Sequence, residues 1–332
     1  MGIMNKRKEY LIWISYFLAI FIVMFIFYTN VKQLTISDPD DWTYISKIRI
    51  PVPSLKQYNP AKVFPETFMG LCGYFAAYFI YPIINDYTMS MSYVYSAVVS
   101  FFIASSILCV AILVKKMLNC GFGISISSSF VFFALHFLIF KLKNDNNDFL
   151  YTASNLNCFM NYLIPLLSCF IMTIFFLWKY TECEKDTPHY ICNNEKSIII
   201  GFLLCWAYLN IFSNMICNIV LVAPCTFLFL RNAFIEFKHK SFDKSFFVQN
   251  YMYEYIFVLE IICLLFEGNG NRAASFKLEW ISAIENTMHD LTGLWGIIDK
   301  RVLIICVFVM VLSCILHIWE GRLNKSYENS YS

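Results

Sequence analysis

Long apolar runs separated by short polar segments dominate the sequence. The first run, Tyr10 to Tyr28, follows the basic residues Lys6, Arg7 and Lys8, and it has the length that a helix needs to cross a hydrocarbon core of roughly 30 Å. No small-residue cleavage motif follows the run, so we interpret it as an uncleaved anchor rather than a signal peptide. Because basic residues favour the cytoplasmic side, the residues after Asn30 are predicted to lie outside.

Two apolar runs are candidates for the second transmembrane helix. The run at 67–85 is interrupted by two glycines and a proline, whereas the run at 92–114 is continuous and ends in Lys115 and Lys116. If both runs crossed, these lysines would lie outside and every later loop would invert. We therefore predict that residues 67–85 form an interfacial or re-entrant helix on the outer side, shielded by protein.

Six further runs bring the prediction to eight transmembrane helices, with both termini in the cytoplasm. The charge-free stretch from Ser197 to Leu230 predicts a tight hairpin near Asn210 to Asn214 rather than one long tilted helix. The expected fold is a single all-α transmembrane domain over residues 1–332. Its remaining spans are predicted at about 122–140, 158–178, 197–213, 215–230, 250–267 and 302–319, its outer loops at 30–90, 141–157 and 268–301, and its short cytoplasmic tail at 320–332.

The composition agrees with an integral membrane protein. Hydrophobic residues make up 59% and charged residues 14%, whereas an average soluble chain carries about a quarter charged residues. The net charge of +2 gives no reason to expect nucleic acid as a partner. Most of the 13 cysteines lie singly in apolar runs, where we expect free thiols. We predict no metal site, since Cys183, His189 and Cys192 offer three ligands where structural zinc takes four.

The outer segments contain most of the polar chemistry, and Asp40 and Asp41 are the most distinctive pair. They belong to the sequence SDPDDWTY at 37–44. One interpretation is a helix start, with Asp38 as the cap and Pro39 at the first helical position. The other is that the adjacent carboxylates act as general base and cation ligand. The residues alone leave both interpretations open.

Two other polar features are candidate binding residues. Asn271 and Arg272 lie in EGNGNR at 267–272, where an amide and a guanidinium suit a phosphate, although a turn with a snorkelling arginine is the simpler interpretation. Glu260 lies ten residues into the seventh predicted span. An acid at that depth costs about 2.5 to 3.5 kcal/mol on insertion scales, so Glu260 is expected to face the bundle interior or a cavity.

Three motifs in order, DDWTY at 40–44, NYLIP at 161–165 and GNGNR at 268–272, resemble a bacterial branch of the GT-C glycosyltransferase superfamily. That branch is related to the glucosyltransferases that decorate O-antigen and other surface polysaccharides. The resemblance covers about residues 8–275. The chain departs from the pattern where Glu267 precedes Gly268 in place of a proline, and its eight predicted spans are fewer than the ten or more of most GT-C enzymes.

The resemblance implies transfer of a sugar from a polyprenyl-phosphate donor to a glycan, on the outer face of the bacterial plasma membrane. Asp41, or Asp40 beside it, would deprotonate the acceptor hydroxyl, and Arg272 with Asn271 would hold the departing phosphate. A divalent cation such as Mg or Mn could bind the two aspartates but is not required. The predicted catalytic residues are therefore Asp40 and Asp41, and the predicted substrate-binding residues are Asn161, Glu260, Asn271 and Arg272.

Two other functional classes stay open. A transporter or flippase for lipid-linked sugar would use the same outer cavity and a mid-depth acid such as Glu260, with motion in place of chemistry. We find no internal repeat or paired broken helices of the kind that many transporters show. A non-catalytic membrane partner of polysaccharide assembly is the third class, and the short chain is compatible with it.

Overall fold

The computed structural model describes residues 2–35, 63–139, 151–181, 197–238 and 244–268, together with parts of 285–311. About 89% of the structure is helical, and no strand occurs in the described ranges. The expectation of an all-α membrane protein is therefore confirmed. The number of crossings, the type of membrane and the sides of the two termini stay predictions.

The helices follow the apolar runs closely, because a continuous apolar stretch of this length can satisfy its backbone in a membrane only as a helix. Three π-helical turns interrupt them: Phe27–Val31 continues α1, Ala76–Ile80 joins α2 to α3, and Phe159–Leu163 joins α6 to α7. The α-helices are α1 Gly2–Ile26, α2 Val63–Phe75, α3 Tyr81–Ile84, α4 Tyr87–Met117, α5 Phe122–Leu138, α6 Leu156–Cys158, α7 Ile164–Tyr180, α8 Ser197–Ile211, α9 Met215–Lys238, α10 Lys244–Gln249 and α11 Tyr251–Gly268.

Among the described residues, five helical stretches are long and apolar enough to cross a membrane. Two further apolar helices, α5 and α8, are shorter. The 18-residue helix α11 contains three acids, Glu254, Glu260 and Glu267, and is not among the five. The five long stretches are Arg7–Val31, Thr67–Ile84, Tyr87–Met117, Leu156–Tyr180 and Met215–Lys238.

The segment predicted to be interfacial or re-entrant, 67–85, is helical and lies along the first half of α4. Phe64, near the start of α2, packs on Phe102 midway along α4, with ring centroids 6.5 Å apart. The hydroxyl of Tyr95 in α4 donates a hydrogen bond to the carbonyl oxygen of Met69 at 2.8 Å. By length and composition this helix could also cross, so its placement in the membrane stays a prediction.

Residues 1–132 and 146–277 form one compact unit, and basic residues meet aromatic rings at one end of it. Lys115, at the end of α4, forms an ion pair with Glu9 near the start of α1. Lys116 lies 5.9 Å from the ring centroid of Trp178, near the end of α7. These contacts show that α1 and α4 run in opposite directions, since the start of one helix meets the end of the other.

One hydrophobic core cluster of this unit is built by α7, α8, α9 and α11. Buried side chains of all four helices pack there, among them Met172, Ala207, Leu221 and Ile256. All ten cysteines within the described residues are free, and five of them are buried. The prediction of free thiols is confirmed for this part of the chain.

A second compact unit comprises residues 133–145 and 278–332, and the structure describes only part of it. The backbone N–H of Asp299 donates to the carbonyl oxygen of Ile139 at 2.6 Å. The carboxylate of Asp299 accepts from the backbone N–H of Arg301 at 2.9 Å, at the start of a helix that continues through residue 309. The predicted span at 302–319 is therefore helical at 302–309, and residues 312–319 lie outside the described residues.

Candidate functional site

The chain that leaves α1 is bonded to the chain that enters α6. Thr35 donates its backbone N–H to the carbonyl oxygen of Ser154 at 2.7 Å, and its own carbonyl oxygen accepts from the N–H of Leu156 at 3.1 Å. These bonds form a short parallel bridge between Thr35 and Asn155. The bridge fixes the start of α6 next to a residue that precedes Asp40 by five positions in the sequence.

Buried aromatic residues pack next to this junction. The hydroxyl of Tyr28 donates to the carbonyl oxygen of Tyr151 at 2.5 Å. The ring of Tyr28 meets the ring of Phe159 edge to face, with centroids 5.1 Å apart, and all three residues are almost completely buried. Burial raises the pKa of Tyr151, so its phenol stays protonated at neutral pH. The side chain of Tyr151 therefore adds no charge to the junction.

Two asparagines one turn apart, Asn157 and Asn161, are buried at the start of the α6–α7 stretch. Asn155 caps the helix, because its side chain accepts from the backbone N–H of Asn157 at 2.9 Å. The Nδ2 of Asn161 donates to the carbonyl oxygen of Asn157 at 3.0 Å. Asn157 is 1% exposed and Asn161 is 9% exposed. The helix start therefore presents amide groups inside the protein rather than at its surface.

Three atoms of these two amides have no hydrogen-bond partner within the described part of the chain: Oδ1 and Nδ2 of Asn157, and Oδ1 of Asn161. Each such buried atom typically costs about 1 to 3 kcal/mol. The π-helical turn Phe159–Leu163 begins between the two residues, and π-turns of this kind occur frequently at functional sites. We name Asn157 and Asn161 the amide pair.

Asn214 connects the amide pair to the next helical hairpin. Its Nδ2 donates to the backbone oxygen of Asn161 at 2.8 Å, and its Oδ1 accepts from the backbone N–H of Ile216 at 2.9 Å. Asn214 thereby caps α9 and holds the π-helical turn at the same time. The predicted hairpin near Asn210 to Asn214 is confirmed, since α8 ends at Ile211 and α9 begins at Met215.

Glu260 is paired with an asparagine one turn further along α9. The Nδ2 of Asn218, which is fully buried, donates to Oε2 of Glu260 at 2.8 Å and to the carbonyl oxygen of Ile211 at 2.7 Å. Glu260 itself is only partly buried. The carboxylate therefore faces α9, and Asn218 is the partner that the sequence alone did not supply.

A second buried polar group joins α7 to α8. The hydroxyl of Ser168 donates to Oδ1 of Asn210 at 2.6 Å and accepts from the indole N–H of Trp206 at 2.9 Å. Ser168 and Asn210 are both buried. Because every bond in this group is made within the protein, it holds two helices together rather than presenting free groups to a ligand.

An apolar groove lies between α1, the α2–α3 stretch and α4. Its volume is about 500 Å³, and its lining is almost entirely hydrocarbon and aromatic. A second cavity of about 510 Å³ adjoins it and adds the polar side chains of Thr29 and Asn30. The two cavities share Phe25, Ile80 and Tyr93.

The structure describes two of the six predicted site residues, Asn161 and Glu260, and brings each against α9. Their contacts to α9, through Asn214 and Asn218, are one helical turn apart. Asp40, Asp41, Asn271 and Arg272 lie outside the described residues. Within the described ranges, no group of three metal-ligating side chains that could hold a metal ion is found.

Sequence reasoning missed Asn157, Asn214 and Asn218. A signal for two of them was present, because the stretch from Ser197 to Leu230 contains no charge and yet places asparagines at 210, 214 and 218, four residues apart. These three asparagines fall at the end of α8, in the turn and near the start of α9, so they cluster at the hairpin. Asn157 precedes the NYLIP motif by four residues, which is the same spacing.

Comparisons of the chain with protein-family models, with curated proteins and with solved structures find no match.

Proposed function

We propose that this protein is a membrane glycosyltransferase that moves a sugar from a polyprenyl-phosphate donor to a cell-surface glycan on the extracytoplasmic face of a bacterial plasma membrane. The motifs DDWTY, NYLIP and GNGNR carry the resemblance on which the reaction class is based. The geometry adds a buried polar site, the amide pair, and an apolar groove, and a lipid-linked sugar needs both kinds of surface.

The observation that carries the proposal is the bridge between Thr35 and Asn155. It holds the chain that leads to Asp40 and Asp41 beside the start of α6, where the amide pair lies. The residue five positions before the acidic motif DDWTY is thus bonded to the segment that leads into the asparagine motif NYLIP. This proximity of the two segments supports a site that the acidic and asparagine motifs share.

The proposed reaction is a single displacement. Asp41, or Asp40 beside it, takes the proton of an acceptor hydroxyl, whose oxygen then attacks the anomeric carbon of the sugar. The bond from that carbon to the phosphate oxygen breaks, and the configuration inverts. Polyprenyl phosphate leaves with the bonding electrons, and Arg272 with Asn271 stabilises the charge that grows on it. The apolar groove at Phe25 and Tyr93 suits the lipid chain.

The test is the composition of the cell-surface polysaccharide, measured by mass spectrometry in wild-type, deletion and Asp41→Asn cells. We expect both mutants to lose the same sugar, because asparagine cannot accept the proton of the acceptor. Asp86→Asn is the matched control: Asp86 caps α4 by accepting from Met89 N–H at 2.9 Å, and asparagine caps equally well. Loss of the sugar in the deletion alone would exclude catalysis by Asp41 and favour a non-catalytic partner.

A transporter or flippase for lipid-linked sugar is the second candidate, and the Asn218–Glu260 pair favours it. A partly buried carboxylate held by an amide is a group that transporters use in ion pathways. In that case Glu260→Gln blocks translocation of lipid-linked sugar in sealed vesicles, whereas Asp41→Asn leaves it unchanged. Under the transferase proposal neither substitution alters the rate of translocation.

A further inference from the structure

We propose that the amide pair, Asn157 and Asn161, binds hydroxyl groups of the transferred sugar rather than its phosphate. This inference rests on the proposed function for the identity of the ligand. It assigns a ligand-binding role to Asn157, and it separates the part of the site that recognises the sugar from the part that holds the phosphate.

The orientation of Asn161 decides which chemistry its side chain offers. The atom that meets the carbonyl oxygen of Asn157 at 3.0 Å must be a donor, because a carbonyl oxygen only accepts. The Oδ1 of Asn161 therefore points the other way, buried and without a partner in the described part of the protein. It is an acceptor that requires a donor.

Asn157 adds one acceptor and one donor beside it. Both of its amide atoms are buried without a partner within the described residues, and the residue is 1% exposed. Together the pair offers two acceptors and one NH₂ group. A sugar hydroxyl can donate and accept, so it satisfies both kinds of atom, whereas an ionised phosphate diester only accepts and would repel two amide oxygens.

The surroundings of the pair restrict what can bind. Phe159 and Tyr28 pack beside it, and Asn214 holds the backbone of Asn161 at 2.8 Å. Within the π-helical turn Phe159–Leu163, Tyr28 thus contacts the first residue and Asn214 bonds the third. A preorganised neutral site of this kind discriminates by the position of hydroxyl groups, because a ligand that lacks one leaves a buried amide unpaired.

The experiment measures binding of methyl hexopyranosides to the full-length protein in lipid nanodiscs by saturation-transfer NMR, with dimethyl phosphate, an ionised phosphate diester, as competitor. We expect the wild-type protein to bind at least one methyl hexoside and dimethyl phosphate not to displace it. Asn157→Leu should weaken that binding about tenfold, the effect of losing one or two hydrogen bonds. Asn157→Ala, which is smaller and cannot overpack, should give the same loss.

Asn232→Leu is the matched control, since Asn232 is also a buried helical asparagine but bonds Asn250 at 2.9 Å. It should leave the dissociation constant unchanged in protein that elutes as a folded species. Unchanged binding in both Asn157 variants, no hexoside binding by the wild type, or displacement by dimethyl phosphate would each overturn the inference. Methyl hexosides are not sugar donors, so the binding assay does not depend on transferase activity. If hexoside binding depends on Asn157 but deletion of the gene leaves the cell-surface glycan unchanged, the transferase proposal is refuted and the sugar site is retained.

Discussion

At the scale of single residues, Ser168 is the clearest stabilising group, because one hydroxyl serves both Asn210 and Trp206. Ser168→Ala leaves a buried amide oxygen and an indole N–H unpaired. We expect the free energy of unfolding to fall by about 1 to 3 kcal/mol. Reversible unfolding in detergent measures the change. Thr226→Val is the control, since the hydroxyl of Thr226 is exposed and bonds within its own helix; an equal loss there would refute the role of Ser168.

The pair of Glu260 and Asn218 shows what could be predicted for a single residue and what could not. An acid within an apolar run is expensive in lipid, so the sequence predicts that Glu260 faces protein. Its partner lies 42 positions earlier in the chain. Which of several asparagines meets it depends on how α9 packs against α11, and no local pattern contains that information.

At the scale of elements, apolar runs predict helices because their length and composition are local properties. The run at 92–114 corresponds to α4, Tyr87–Met117, and the run at 158–178 to the stretch Leu156–Tyr180. The end of α9 was less predictable: the run at 215–230 continues as a helix to Lys238, beyond the apolar residues. The π-helical turns were not predicted, since one inserted residue changes the register of a helix without changing its hydrophobicity.

Asn214 is the residue on which two elements depend, and its two functions can be separated. Asn214→Ala removes the cap of α9 and the bond to the backbone of Asn161. We expect a loss of about 1 to 2 kcal/mol in unfolding free energy together with reduced glycan modification. Asn214→Asp keeps an acceptor for the cap and loses only the donor to Asn161. The Asn214→Asp variant should therefore keep the stability of the wild type but lose part of the glycan modification. Thermal unfolding measures the stability, and mass spectrometry of the polysaccharide measures the modification. Full glycan modification by the Asn214→Asp variant would contradict the link between Asn214 and the site.

At the scale of the whole molecule, the contact between Glu9 and Lys115 constrains the path of the chain through the membrane. It shows that α4 ends where α1 begins, at the end opposite to the junction of Thr35 and Asn155. If α1 and α4 both cross, the segment between them starts and finishes on one side and adds no net crossing. This return to the same side, here called the parity of the segment, supports an interfacial or re-entrant position for α2–α3.

Cysteine labelling from outside tests the parity in intact cells. In a protein whose native cysteines are replaced by alanine, we introduce Asp40→Cys, Gly270→Cys and Lys240→Cys one at a time and add a membrane-impermeant maleimide. With an outer junction and eight crossings, positions 40 and 270 are labelled and position 240 is labelled only after the cells are lysed. Labelling of 40 and 240 together would mean that α2–α3 makes a full crossing and inverts every later loop. Labelling of 240 without 40 would mean that the whole chain is inserted in the opposite orientation. The acidic motif would then lie in the cytoplasm, which would refute a glycosyltransferase of the outer face.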